Sequence, residues 1–302
     1  MVALKNNLWK ITGIALFCSF FAMMIHALWP PLYDYNAPKS LIFENGLFKL
    51  AVIGLFFITF WALAFVFVFI QDKLPGKGLL KGLRYGISFG VLWLIGMFEM
   101  SIAFSSPLKY EFVSGLCGFS ALIVLGLLLG RFIATDGNRV IHKTEKSDLI
   151  PVFIIAGLFI GQRYFRYFAL TPDNPSYFEN FIVILTFTLS LGLWIGIMYQ
   201  LLRQEPTGWS PAKRAIWFGG IVFGIDWLFY SLFLLLFFQW SLIEVWLISA
   251  FDIISLIIGV FFVEKANKAL RSKARYSRFY QRQSPPPILY ADIRLPTWER
   301  EL

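Results

Sequence analysis

The sequence predicts an all-α polytopic membrane protein with eight transmembrane helices. They form two four-helix repeats of the same orientation, related by a pseudo-twofold along the membrane normal. Three observations predict it. The chain is 58% apolar, 19% aromatic and only 15% charged, more apolar surface than a soluble domain of this length can hide. Its apolar runs last about twenty residues, the length of a spanning helix rather than of a barrel strand. Finally, Gly86-Ile87-Ser88-Phe89-Gly90-Val91-Leu92-Trp93-Leu94 recurs as Gly220-Ile221-Val222-Phe223-Gly224-Ile225-Asp226-Trp227-Leu228, identical at six of nine positions. Phe43-Glu44-Asn45 recurs as Phe178-Glu179-Asn180 at nearly the same offset. Each half carries an even number of spans, so both halves enter the membrane the same way round, and the repeat is not an inverted one.

Taken in order, the spans are expected at about 11–30, 46–70, 85–105, 112–132, 150–170, 181–202, 215–238 and 243–263. The first follows Lys5 and Lys10 as a secretion signal would. It is long for a signal core, no small-x-small cleavage site follows, and it pairs with the mid-chain span at 150–170, so it reads as a helix that stays. The organisation is then a first repeat 1–135, a linker 136–147, a second repeat 148–270 and a basic, Pro-containing tail 271–302. With the N-terminus inside, 22 of the 27 Lys and Arg fall on that side, and Lys39 and Lys109 alone fall in outer loops. This asymmetry places both termini in the cytoplasm of a cell-membrane protein. Single cysteines at Lys39, Lys109 and Asp173 should therefore react with an impermeant maleimide added outside, and cysteines at Lys77, Lys143 and Arg275 should not. A reversed pattern at two or more loops would end the orientation.

The net charge of +9 calls for no nucleic acid. Residues 265–282 hold seven Lys/Arg directly after the last span, which fits contact with anionic lipid headgroups. Tyr276, Phe279 and Tyr280 interleave with them, as in an interfacial segment. Ser284-Pro285-Pro286-Pro287 then enforces an extended stretch. The residues beyond read as a disordered tail or as a peptide that docks a protein partner. Cys18 and Cys117 both lie inside apolar runs and read as buried thiols. No loop is long enough to hold a soluble domain.

Glycines four apart recur at Gly86/Gly90, Gly126/Gly130, Gly157/Gly161, Gly192/Gly196 and Gly220/Gly224. In lipid, close backbone approach over glycine supplies helix contact. The Gly86 and Gly220 pairs occupy the same repeat position, so the third and seventh spans should pack at equivalent interfaces, with Trp93 and Trp227 as core residues nearby. Phe-Glu-Asn stands at the outer start of the second span of each repeat. Asn as a helix N-cap and an acid near the helix dipole explain it locally. The functional alternative sets Glu44 and Glu179 across the pseudo-twofold as an acidic outer mouth.

Ionisable groups inside the membrane carry the functional reading, because each costs roughly 2.5–3.5 kcal/mol by insertion scales. Asp226 and Asp252 fall near mid-membrane, Glu99 and Arg163 in the outer half, and Arg166 nearer the outer surface. Arg163 and Arg166 share a helix face, with Gln162 beside it and His26 at similar depth in the other repeat. They read either as an outward-facing anion or carboxylate site, or as Arg163 paired with Glu99 and Arg166 snorkelling to headgroups. Asp252 shares a stripe with Ser249, Ser255 and Gly259. Asp226 has Tyr230 as its i+4 neighbour and a candidate hydrogen-bond donor. Both acids are present in one half only, and a duplicated scaffold that loses symmetry there points to a working site. The alternative is a structural pair, or protonated acids satisfying neighbouring helices.

Catalytic and cofactor arrangements are absent from the pattern. His26 and His142 lie on opposite sides of the predicted membrane, and there is no metal spacing, phosphate loop, HExxH or nucleophile elbow. Three functions stay open. The first is a small permease or a solute- or proton-coupled carrier with a path between the repeats. The second is a non-catalytic membrane subunit that docks a partner through its tail, as a homo-oligomer or in a larger complex. The third is an intramembrane enzyme built on Asp226 and Asp252. A carrier should hold a polar cavity between the halves; a subunit should be a solid bundle.

Overall fold

The computed structural model describes residues 2–28, 39–136, 149–169, 181–203 and 208–283. The predicted linker at 136–147 lies almost wholly outside them, and so does the tail beyond Gln283. The chain divides into two compact units, Met1–Glu264 and Lys265–Leu302. Among the described residues the elements are helical, and a lone bridge between Lys39 and Phe238 is the nearest approach to a strand. Eight helices are long and apolar enough to cross a membrane, so the chain is an integral, multi-pass membrane protein in contact with lipid.

α1 runs Val2–Leu28. A four-residue helix, α2 (Leu41–Glu44), begins where Ser40 caps it by accepting from Phe43 N at 3.2 Å. Asn45 ends this short helix instead of capping the next one, and Gly46 turns the chain at φ +72°. The N-cap role expected for Asn45 at the second span is not filled by any side chain: α3 begins on Leu47 without a side-chain cap, and Ser40 caps only the short α2. α3 (Phe48–Ile70) follows and closes in a 3₁₀ turn at Gln71–Lys73. α4 (Gly78–Phe104) and α5 (Leu108–Phe132) form the next pair. α4 starts seven residues before the predicted span at 85. Lys81, which makes that stretch look aqueous, is buried and donates to Thr135 O at 2.8 Å.

α6 (Leu149–Ala169) and α7 (Phe181–Leu202) are single spans. The seventh span is composite. α8 (Pro211–Ala215) starts on Ser210, whose hydroxyl accepts from Lys213 N at 3.2 Å, with Pro211 in the first turn. A π-helical stretch, Ile216–Phe223, leads into α9 (Gly224–Phe237). α10 (Leu242–Gln283) opens with a reciprocal cap. Ser241 Oγ accepts from Glu244 N, and Glu244 Oε2 accepts from Ser241 N at 2.8 Å. Residues 242–264 of α10 belong to the first unit; residues 265–283 belong to the second and are helical.

α1 packs on α3 and α5, α6 on α7, α4 on α5 and α7, and α9 on α3. The closest approach is between α4 and α5. A Cβ built at Gly82 would overlap Gly126 O, and one at Gly86 would lie 2.7 Å from Leu122 O. At Gly90 the obstacle is the Phe119 ring at 2.8 Å. Gly196 meets Val152 O at 2.7 Å. The expected equivalence of Gly220 with Gly86 does not hold at this level. Gly220 has 3.8 Å of clearance, and Gly219 instead approaches Ile257 of α10. The π turn carries one extra residue per hydrogen-bonded ring and so rotates the face presented. Gly157 and Gly161 have open space around them, so they form no tight contact among the described residues.

Candidate functional site

Four of the sequence-predicted residues meet in one place, and a tryptophan joins them. α6 projects Arg163 and Arg166 from one face, α4 supplies Glu99 from its last turns, and α10 supplies Asp252. Arg163 Nη1 donates to Glu99 Oε1 and Nη2 donates to Asp252 Oδ2, both at 2.6 Å. Arg166 Nη2 donates to the same Glu99 oxygen at 3.2 Å, and its Nη1 lies 3.7 Å from Asp252 Oδ1. Trp227 closes the set, its indole N–H donating to Asp252 Oδ2 at 2.9 Å. Two guanidiniums thus face two carboxylates across three helices, a charge-balanced arrangement of the short, charge-assisted kind. Arg163 takes Glu99 as expected and Asp252 in addition. Arg166 is buried and pairs with Glu99 rather than snorkelling.

Aromatic rings seat Arg163. Its guanidinium carbon lies 5.4 Å from the Phe159 ring, 5.6 Å from Trp227 and 6.0 Å from Phe187. Tyr167, one turn on, accepts from Nη1 at 3.3 Å. Burial is uneven within the cluster. The Arg163 and Asp252 side chains are 1% and 0% exposed, that of Arg166 4%, but that of Glu99 is 22%.

Glu99 is exposed because a cavity of about 540 Å³ lies against it. The cavity opens among helix ends that all lie opposite the N-terminus: the last turns of α1, α4, α6 and α9 and the first turns of α3, α5 and α10. Residues 1–135 contribute His26, Trp93 and Glu99 to its lining; residues 148–270 contribute Arg163, Trp227 and Asp252. Its walls are largely rings. Trp93 packs against Tyr230 at 5.4 Å, Phe233 at 5.7 Å and Phe56 at 6.2 Å between centroids. Its size falls within the roughly 300–1,000 Å³ of small-molecule sites.

The other candidates fall around this cavity or away from it. His26 lines it, with Nδ1 held 2.8 Å from Ala22 O. Tyr230 lines it as well, stacked on Trp227 at 5.3 Å. Tyr230 is not the donor to Asp226. Trp93 takes that role, its indole N–H reaching Oδ1 at 3.0 Å across the two halves of the chain. Asp226 is fully buried behind the cavity wall, and its Oδ2 has no hydrogen-bond partner among the described residues. Asp226 and Asp252 are each held by a different tryptophan. Gln162 stays outside the ion cluster, with neither amide atom hydrogen-bonded among the described residues. Ser249 and Ser255 bond backbone carbonyls of their own helix rather than Asp252 side-chain oxygens. Glu44 is exposed on α2. Glu179 lies outside the described residues, and the acidic mouth with it. His142 also lies outside them.

Sequence reasoning misses a second ionic cluster at the opposite end. Glu264 of α10 accepts from Tyr199 Oη at 2.5 Å and from Arg214 at 2.9 Å, with Arg203 Nε 3.3 Å away. The signal is present in the chain. Tyr199 and Arg203 are four apart at the end of α7, and Glu264 sits one residue past the predicted end of the last span. Among the described residues no group of three or more His, Cys, Asp or Glu could hold a metal ion. The chain matches no family model, no curated protein and no solved structure.

Proposed function

We propose that this protein is a small-solute carrier whose substrate enters from the membrane face opposite the N-terminus. One observation carries the reading: a cavity of about 540 Å³, lined from both halves of the chain, runs down to the Glu99–Arg163–Asp252–Arg166 cluster. A scaffold that only anchors partners has no need to keep four charges beside a ligand-sized hollow inside a bilayer. The positive-inside count supports both termini facing the cytoplasm, which makes the cavity extracellular-facing. The Tyr199–Glu264–Arg214 cluster then lies at the cytoplasmic end, where a carrier needs a second closure.

The two-repeat organisation belongs to the same proposal. Its support is the paired packing. α1 on α3 has its counterpart in α6 on α7, and α4 on α7 has its counterpart in α9 on α3, each crossing between halves. α1 on α5 corresponds to the approach of α6 to α10, where Ile155 meets Gly259. The indole N–H groups of Trp93 and Trp227, at matching repeat positions, both end on carboxylates. A carrier built this way can rock one half against the other around a central site.

The test is flux. Purified protein in proteoliposomes should move at least one solute from a panel of neutral, anionic, cationic and zwitterionic compounds. Glu99→Gln should cut that flux at least tenfold per folded molecule; because it leaves two guanidiniums facing one carboxylate it should also lower thermal stability, so flux is compared at equal amounts of folded protein. If the panel yields no protein-dependent flux, or Glu99→Gln transports normally, the carrier reading fails and the membrane-subunit reading replaces it.

A further inference from the structure

We infer that the cavity binds a formally uncharged amphiphile: an apolar body carrying one compact head with an O–H or N–H donor, such as an alcohol or a primary amide. The inference deepens the carrier reading and rests on it for the direction of movement, but not for binding. It follows from one atom and from the charge balance around it. Glu99 uses a single oxygen, Oε1, for both arginines. Its Oε2 takes part in neither of these bonds, and Glu99 is the one member of the cluster that is substantially exposed, beside the cavity. The arginines offer the cavity little, since both lie almost wholly behind the surface. The group presented to a ligand is therefore an acceptor, and it selects a donor.

Charge then decides which donor. Two guanidiniums and two carboxylates sum to zero. A cationic head placed on Oε2 would sit beside Arg163 and Arg166, and an anionic head would meet the carboxylate itself. In a desolvated pocket either charge would be left unbalanced, which is costly. A neutral donor hydrogen-bonds Oε2 and disturbs nothing. Lys49 also lines the cavity, but it is exposed at the rim, where solvent and salt screen it. His26 already holds Ala22 O through Nδ1. The body of the ligand is set by the walls. Phe56, Trp93, Met97, Phe233 and Leu234 offer ring faces, a thioether and an aliphatic side chain, and no further buried charge. An aliphatic or aromatic body of up to drug size fits a hollow of this volume. The same chemistry could reach the cavity from the aqueous phase or from a hydroxyl-headed lipid in the adjoining leaflet.

Native mass spectrometry of the full-length protein released from detergent tests it. An equimolar mixture of decanamide, decan-1-ol, decanoate and decyltrimethylammonium at pH 8 presents one body with four heads. The two neutral probes should occupy the protein at least tenfold more than either ion, and Glu99→Ala should lower their occupancy at least tenfold. Met97→Trp, which fills the cavity without touching the charges, should lower it too. A parallel sample from vesicles doped with dioleoylglycerol distinguishes the sources. Retention of dioleoylglycerol marks the leaflet route; decanamide binding without it marks the aqueous route. Preference for decanoate or for the ammonium, binding indifferent to Glu99→Ala, or no binding of the neutral probes would overturn the ligand class. If neutral probes bind but no panel solute is moved, the ligand class stands and the carrier reading falls. If flux is found without this preference, the carrier reading stands and the ligand class falls.

Discussion

Arg163→Leu should be among the most damaging single changes in the molecule, costing about 3–5 kcal/mol of stability. The residue is buried on every side. It holds Glu99 and Asp252 at 2.6 Å each and lies within 6.0 Å of three aromatic ring centroids. Leucine keeps part of the packing but leaves two carboxylates, Asp252 fully buried, facing one guanidinium. Arg166 cannot replace it, because its Nη1 stands 3.7 Å from Asp252 Oδ1, beyond hydrogen-bonding distance. Removing one partner of a buried ion pair costs more than removing the pair, since it strands the other charge. The double variant Arg163→Leu with Asp252→Leu should therefore be more stable than Arg163→Leu alone, although Trp227 then has no acceptor. Midpoints of thermal or denaturant unfolding in one detergent check the order. A single variant as stable as wild type, or a double variant less stable than the single, would show that the cluster does not carry the electrostatic load assigned to it.

Hydropathy carries the architecture far. Eight apolar runs in the sequence correspond to eight helices long and apolar enough to span, with ends displaced by up to seven residues. The displacements have local causes that hydropathy cannot see. Lys81 hides the start of α4 because a buried lysine on a backbone carbonyl looks, in sequence, like a lysine in water. The start of the seventh span is legible in Ser210-Pro211, a helix-start signal that an apolar window averages away. The site is legible as a set of costly charges, and the i, i+3 spacing of Arg163 and Arg166 places them on one face. Their partnering is not legible. Arg163 pairs with Glu99 across 64 positions and with Asp252 across 89, and only the packing of α4, α6 and α10 decides which acid meets which base. The same limit misassigns Asp226. An i+4 tyrosine is the nearest donor on the same helix face, whereas Trp93, 133 residues away, is the donor in space. The tryptophans read as packing residues for the same reason. Their rings do pack, but the atom that matters at each is the indole N–H.

Gly82→Leu should lower stability by at least the roughly 1–3 kcal/mol typical of overpacking, and it is expected to reduce the yield of folded protein. A Cβ at position 82 would overlap Gly126 O and stand 2.7 Å from the Cα and N of Gly130. All three obstacles are backbone, so no side-chain rotation relieves them and α4 must move off α5. The movement cannot stay local. Gly78 and Gly130 oppose each other one turn away, and a Cβ at Gly78 would lie 2.7 Å from Gly130 O. Helices in lipid gain little from hydrophobic association, so when α4 and α5 separate, burying the same surface elsewhere does not restore the stability. Gly157→Leu and Gly220→Leu provide the contrast, since Gly157 has open space and Gly220 has 3.8 Å of clearance. Both should leave the unfolding midpoint near wild type, although Gly220 belongs to the duplicated Gly-x-x-x-Gly and Gly82 does not. Equal destabilisation at positions 82, 157 and 220 would mean that glycine matters here through helix propensity alone. A larger effect at 220 than at 82 would restore the motif, and not the observed backbone approach, as the guide to where these helices touch.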